Sequence, residues 1–214
     1  MTLLVNEIFY SIQGESIYSG RPCVFVRLTG CNLRCTYCDT QYAYEDGESM
    51  EIAQIMRRVS EYKCRLVEIT GGEPLIQNET PLLVSRLLDN GYAVMMETNG
   101  SLDISRVDPN CIKVLDMKCP SSNESNKNDV KNLKHLHSKD QIKFVIGNHE
   151  DYTYAKNIIS SHCPNFPGDC ILFSPVYGKI PPADLADWIL KDHLNVRLHL
   201  QLHKMIWPDK ERGV

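Results

Sequence analysis

The chain has 214 residues, 43% hydrophobic and 23% charged, with 23 basic and 27 acidic side chains giving a formal net charge of -4. That length suits one domain over residues 1–214, with a core able to do without disulfides. Scattered Lys and Arg argue against a nucleic-acid surface, and no apolar run reaches membrane-spanning length.

The opening "MTLLVNEIFY" has no basic segment ahead of a long apolar one, so the expected compartment is the cytoplasm. Apolar runs predict strands over 4–10, 23–29, 66–70, 92–97, 112–117, 141–146, 170–174 and 196–202. Most are continuous rather than alternating, the pattern of strands covered on both faces. The link "IQGESIYSGRP" between the first two is too turn-rich for a crossover unit. Helix is predicted over 50–62, where Ile52, Ile55, Met56 and Val59 share one face. Over 80–90, Thr80 reads as N-cap, Pro81 as first helical residue and Gly91 as the stop. Residues 149–162 and 182–193 read as later crossover helices, the second turning Leu185, Trp188 and Ile189 inward, and a shorter helix is predicted over 128–137. The stretch 119–132 is the most polar loop, a candidate mobile segment or lid.

Strand–helix alternation predicts a parallel sheet with helices outside. A closed eightfold barrel takes ~250 residues, so the expected α/β fold is an incomplete, open parallel β/α barrel of about six βα units with an N-terminal strand extension.

Nine cysteines in a reducing compartment do not form a disulfide framework, and an odd count cannot pair completely. Cys23, Cys64, Cys111, Cys119, Cys163 and Cys170 read mostly as small buried hydrophobes. The segment "GCNLRCTYCDT" is different, because Cys31, Cys35 and Cys38 fall within eight residues. Zinc wants four ligands and would need a distant His. A [4Fe–4S] cluster held by three thiolates leaves one iron open to a chelating amine and carboxylate, such as the amino-acid end of S-adenosylmethionine (SAM). An electron from the cluster could then cleave the sulfonium and release a 5′-deoxyadenosyl radical.

The C-x3-C-x2-C spacing within "GCNLRCTYC" resembles the radical SAM superfamily, as does "TGGEP" at 70–74 after a strand. The resemblance implies cluster ligation by Cys31, Cys35 and Cys38, and backbone contact with the SAM amino group near Gly72. Five polar segments follow strand ends, where barrel ligands gather.

The opening "EIFYSIQGES", the stretch "RPCVFVRLTGCNLRC", the dipeptide of "CDT" and the ending "LQLHKMIWPDKERGV" together resemble the 7-carboxy-7-deazaguanine synthase family, over essentially the whole chain. The resemblance implies conversion of 6-carboxy-5,6,7,8-tetrahydropterin to 7-carboxy-7-deazaguanine with loss of ammonia, on the route to 7-deazapurines and queuosine. It also implies Mg²⁺, a homodimer and an electron donor such as a flavodoxin. Carried over residue by residue, it assigns Thr40 to Mg²⁺, and Tyr37, Cys38, Asp39, Gly72, Asp116, Lys118, Ser174 and Pro175 to SAM. Ile12, Gln13, Gly14, Glu15, Arg27, Thr70 and Val214 go to the substrate, with Arg27 suited to its carboxylate.

Each assignment has a plainer counterpart. Asp39 and Thr40 could cap the next turn, Arg27 could be an outward solvated strand residue, and Gln13-Gly14 could be a hairpin turn. His199, Gln201 and His203 alternate along the last predicted strand, where a core or rim role outweighs metal binding. At the level of function, a glycyl-radical activating enzyme shares the cysteine spacing, and a non-catalytic Fe–S or zinc module would need a fourth fixed ligand.

Overall fold

The computed structural model describes residues 1–214. Nine strands form one sheet: β1 (Thr2–Ile12), β2 (Pro22–Leu28), β3 (Glu48–Glu51), β4 (Leu66–Gly71), β5 (Ala93–Thr98), β6 (Ile112–Met117), β7 (Gln141–Ile146), β8 (Ile171–Pro175) and β9 (Arg197–Leu198). Their order is β3-β1-β2-β4-β5-β6-β7-β8-β9. Pairing is parallel from β2 through β9 and antiparallel in the β3-β1-β2 extension. The two outer strands, β3 and β9, do not pair, so the barrel is open, as the strand count predicts.

The two faces of each parallel strand have different tasks. Val24, Val26, Leu28, Val67, Ile69, Val94, Met96, Leu115, Ile142 and Phe144 face the helices and form the main core. The helices are α1 (Ile52–Glu61), α2 (Thr80–Asp89), α3 (His149–His162), α4 (Pro182–Lys191) and α5 (Leu202–Ile206). On the inner face, Phe9, Cys23, Phe25, Leu66, Met95, Ile112 and Val114 fill the base of the barrel. Two residues beyond Phe25, Leu66, Met95 and Val114 the inner face turns polar with Arg27, Glu68, Glu97 and Asp116, and Lys143 of β7 joins them. A site at the carboxyl ends is thus written into the strand sequences.

Several local expectations are corrected. The predicted helix 50–62 is shorter, because Glu48–Glu51 first pairs with β1, and the Gln54 side chain accepts from the Glu51 N–H at the helix start. Thr80 is the first helical residue rather than the N-cap, and its hydroxyl donates to the Pro74 carbonyl. Gly91 does end α2, at φ +77°. The predicted helix 128–137 is a set of 3₁₀ turns over 125–127 and 130–135. There the Asp129 side chain takes the Lys131 N–H and the Asn132 amide donates to the Gly100 and Leu102 carbonyls. Such side-chain bonds compete with helix formation.

The predicted strand 196–202 lasts only two residues. After His199 N–H meets the Phe173 carbonyl, the chain bends inward and Leu202 N–H bonds Gly14 O at 2.9 Å, starting α5. The polar stretch 119–132 is pinned to the cysteine loop. Thr36 bonds the Ser121 and Ser122 carbonyls, and Arg34 N–H donates to Glu124 at 2.7 Å. No helix is long and apolar enough to cross a membrane.

Candidate active site

A cavity of about 830 Å³ opens at the carboxyl ends of the parallel strands, within the size range of small-molecule sites. Cys31, Cys35 and Cys38 lie on one wall, with Tyr37, Asp39 and Thr40 beside them. Ile12, Gln13, Gly14, Glu15, Arg27 and Thr70 lie on the others, with Gly72, Asp116 and Lys118, and Val214 reaches the cavity from the tail. Ser174 and Pro175 do not line it. They are buried in β8, and Val176 and Tyr177, which follow, take the wall position instead.

All nine cysteines are free thiols, and five of the six outside the cluster are buried. Burial pushes the Cys35 thiol up to about 11 and raises that of Cys31. Both are therefore protonated near neutral pH, and binding iron as thiolates would release those protons. No three His, Cys, Asp or Glu side chains converge as ligands of one ion would. The three thiols instead share the wall of a wide cavity, which suits a multi-iron cluster.

The cysteine loop and the Gly71-Gly72 turn are in backbone contact, through Glu73 N–H to Gly30 O at 2.8 Å. A Cβ at Gly72 would lie 2.2 Å from Gly30 O and 2.7 Å from the Cys31 Cβ, so only glycine permits this approach. Glu73 is fully buried, bonding Leu75 N–H, Asn99 N–H and the Thr98 hydroxyl, and it fixes the turn. On the same rim Lys118 pairs with Asp116 Oδ2 at 2.9 Å, while Asp116 Oδ1 and the Tyr37 hydroxyl are buried without partners. Two orphaned polar atoms in one cavity wall fit a bound polar ligand.

Across the cavity the charges interlock. Lys143 bonds Glu15 and Glu97 and lies 3.6 Å from Asp116. Burial alone would lift the Glu15 carboxyl, but the Lys143 ammonium holds it below the usual carboxylate range. Glu68 accepts from Gln13, yet burial and the nearby Glu97 push its carboxyl up to about 8. Gln13 is therefore an inward donor, not a solvent-facing turn residue. Arg27 is likewise inward, with a half-buried side chain held by Glu7 at 2.8 Å.

Thr40 makes no side-chain capping bond to the following turn; its hydroxyl donates to Asp39 Oδ1 at 3.0 Å. Asp39 also pairs with Lys204 and is 3.4 Å from Gln201 Nε2. Gln201 and His203 line the cavity, whereas His199 is buried with neither ring nitrogen bonded. They do not share a strand face, because the strand has already ended.

Glu68, Lys143 and Tyr42 are cavity residues that reading the sequence did not single out, whereas Glu97, Asn99 and Tyr177 lie in two of the polar segments expected at the rim, "ETNG" and "SPVYG", without an assigned role. The available signal was a lone charge inside each apolar run, in "LVEIT", "VMMET" and "QIKFV". An isolated charge on a strand buried on both faces has few places to go except a polar interior site.

Residues 25–116, from the middle of β2 to the end of β6, match the Radical SAM superfamily. That class implies a [4Fe–4S] cluster and SAM, and the free thiols and glycine approach of this chain fit both. It is 46% identical to the 7-carboxy-7-deazaguanine synthase of Chlorobaculum tepidum, covering 99% of this chain and 97% of that one. Against the enzyme of the same name from Koribacter versatilis the identity is 41%, over 98% and 99%. It belongs to the 7-carboxy-7-deazaguanine synthase family. The crystal structure of QueE from Escherichia coli shares the fold, with a TM-score of 0.79 over 95% of each chain at 24% identity.

Proposed function

We propose that this chain converts 6-carboxy-5,6,7,8-tetrahydropterin to 7-carboxy-7-deazaguanine and ammonia. Loss of one ammonia accounts for the whole difference in composition between the two, so the net reaction is redox-neutral. The observation that carries this reading is that three free thiols and an inward-facing Arg27 share one cavity of small-molecule size. A glycyl-radical activating enzyme must instead admit a protein loop, and has no use for a carboxylate-seeking arginine inside the barrel.

In this reading Cys31, Cys35 and Cys38 hold the cluster. Tyr37, Cys38, Asp39, Gly72, Asp116 and Lys118 bind SAM; once loaded, cluster and SAM supply the hydrogen-abstracting radical. The chain's other residues bind and orient. Arg27 takes the substrate carboxylate. Gln13, Glu15, Thr70 and the backbone of Ile12 and Gly14 offer donors and acceptors to the pterin edge. Thr40 would offer a hydroxyl oxygen to Mg²⁺, a hard ion that prefers oxygen ligands. Lys143 keeps Glu15 ionised as an acceptor, whereas Glu68, protonated near neutral pH, can donate. The tail residues Lys210, Glu211 and Val214 narrow the mouth and limit water. A one-electron donor such as a flavodoxin and a homodimeric assembly belong to the same proposal.

The test is anaerobic turnover by reconstituted protein with reductant, SAM, Mg²⁺ and the tetrahydropterin. Appearance of the deazaguanine acid is expected. A protein that cleaves SAM but leaves the pterin untouched would rule the proposal out.

A further inference from the structure

Arg27 meets the protein through only one edge of its guanidinium. Its Nε donates to Glu7 Oε1 at 2.8 Å, and neither terminal nitrogen has a protein acceptor. Arg27 lines the cavity, but Glu7 does not; it stands behind the arginine. The same Glu7 Oε1 accepts a second hydrogen bond, from the Tyr42 hydroxyl at 3.0 Å. The rings of Phe9 and Tyr42 each lie 5.8 Å from the Arg27 Cζ and flank the guanidinium.

A break in strand register creates this arrangement. β1 pairs with β2 as Val5↔Leu28 and then Glu7↔Arg27, so Asn6 is an extra residue. Regular pairing would set Asn6 opposite Arg27 and turn Glu7 toward the helix-side core, where Val26 lies. The bulge re-aims the carboxylate to the inner face, beside the guanidinium. Asn6 is used as well, because its Nδ2 donates to the Asp46 carbonyl at 2.6 Å and the Tyr42 carbonyl at 3.4 Å. The bulge residue thereby anchors the turn that carries Tyr42.

A free Glu7 could rotate and grip Arg27 through Nε and a terminal nitrogen together, the usual bidentate fork. That would consume the donors a ligand needs. The Tyr42 hydroxyl holds Oε1 in place and leaves both terminal nitrogens of this cavity-lining arginine without a protein partner.

We propose that Glu7 and Tyr42 are positioning residues that fix the Nε edge of Arg27, so that its terminal nitrogens present a ready fork to the substrate carboxylate. This rests on Arg27 being the carboxylate partner in the proposed reaction. Glu7 stands outside the cavity and acts through Arg27; the Tyr42 ring borders the cavity, but its hydroxyl is spent on Glu7.

The test uses reconstituted holoenzyme with SAM and two fluorescent, unreactive probes, 6-carboxypterin and pterin lacking the 6-carboxylate. The unaltered protein should prefer the carboxylated probe. Glu7→Gln and Tyr42→Phe should each weaken 6-carboxypterin by about tenfold, the size expected for a bond to a charged group. Binding of unsubstituted pterin and of SAM should stay unchanged. Glu7→Gln and Tyr42→Phe should each cost nothing further in an Arg27→Ala background, whereas an added loss from Tyr42→Phe there would show direct contact with the probe and overturn the inference. If Glu7→Gln does not fold, Tyr42→Phe, which removes one oxygen, decides alone. Equal weakening of both probes marks a merely structural role and overturns the inference. Retained preference in both variants, with loss in Arg27→Ala, overturns it while leaving the reading of the site intact. Retained preference in Arg27→Ala overturns both.

Discussion

Gly72→Ala offers a perturbation whose size can be worked from the backbone. The added methyl carbon would sit 2.2 Å from Gly30 O, and atoms of this kind do not approach below about 3 Å. Its neighbours are backbone and the Cys31 Cβ, so no flexible side chain can swing aside. The Gly71-Gly72 turn and the cysteine loop must therefore part by close to an ångström, straining the Glu73-to-Gly30 hydrogen bond. Overpacking of this sort costs about 1–3 kcal/mol of stability. A misplacement of about 1 Å at a reacting centre costs roughly a hundredfold in rate. The assay is 5′-deoxyadenosine formation by reduced protein, with iron content and melting temperature measured alongside. Gly91→Ala is the control: its Cβ meets only Arg65 at 4.0 Å, and its positive φ costs ~1 kcal/mol while leaving the rate unchanged. Full-rate deoxyadenosine formation by Gly72→Ala would refute the idea that this contact sets the loop.

Cys35→Ala should abolish deoxyadenosine formation and lower bound iron, while Cys64→Ala, whose thiol meets only the Pro22 and Leu66 carbonyls at 3.3 and 3.6 Å, should leave both nearly intact. Similar losses in the two variants would contradict the assignment. Thr40→Val should raise the Mg²⁺ concentration needed for half-maximal product formation by about tenfold or more, and an unchanged Mg²⁺ dependence would remove Thr40 from the metal site. Glu68 sets a pH dependence of stability. Its carboxyl is raised to about 8 by burial and Glu97, so between the unfolded value near 4.5 and 8 the folded chain holds a proton that the unfolded chain has lost. Stability from this group therefore falls as pH rises through that window. Glu68→Gln, which can still accept from Gln13, should flatten the decline in denaturant melts between pH 5 and 8; an unaltered slope would show that Glu68 ionises normally.

Much of this was legible because the sheet is parallel and doubly covered. Strands 112–117 and 141–146 have the bounds their apolar runs predict, since burial on both faces leaves no ambiguity. The cysteine loop and the double glycine were equally readable, because their chemistry resides in local spacing. What could not be read depends on distant partners. β9 ends at Leu198 because Gly14, far away in sequence, captures the Leu202 N–H. β3 is the polar "ESME", which forms a strand only because β1 is there to pair with it. The bulge at Asn6 leaves no mark in the β1 pattern, yet it decides that Glu7 meets Arg27. Glu97 and Lys143 were each visible as an odd charge, but only the barrel's curvature brings them into one pair.

The most direct measurement is a mass-balanced anaerobic turnover, following tetrahydropterin consumed, deazaguanine acid formed and ammonia released. One product and one ammonia should appear for each substrate lost, and none without SAM or with Cys35→Ala. Deoxyadenosine accumulating with no deazaguanine acid, or acid formed without its equivalent of ammonia, would contradict the proposed reaction.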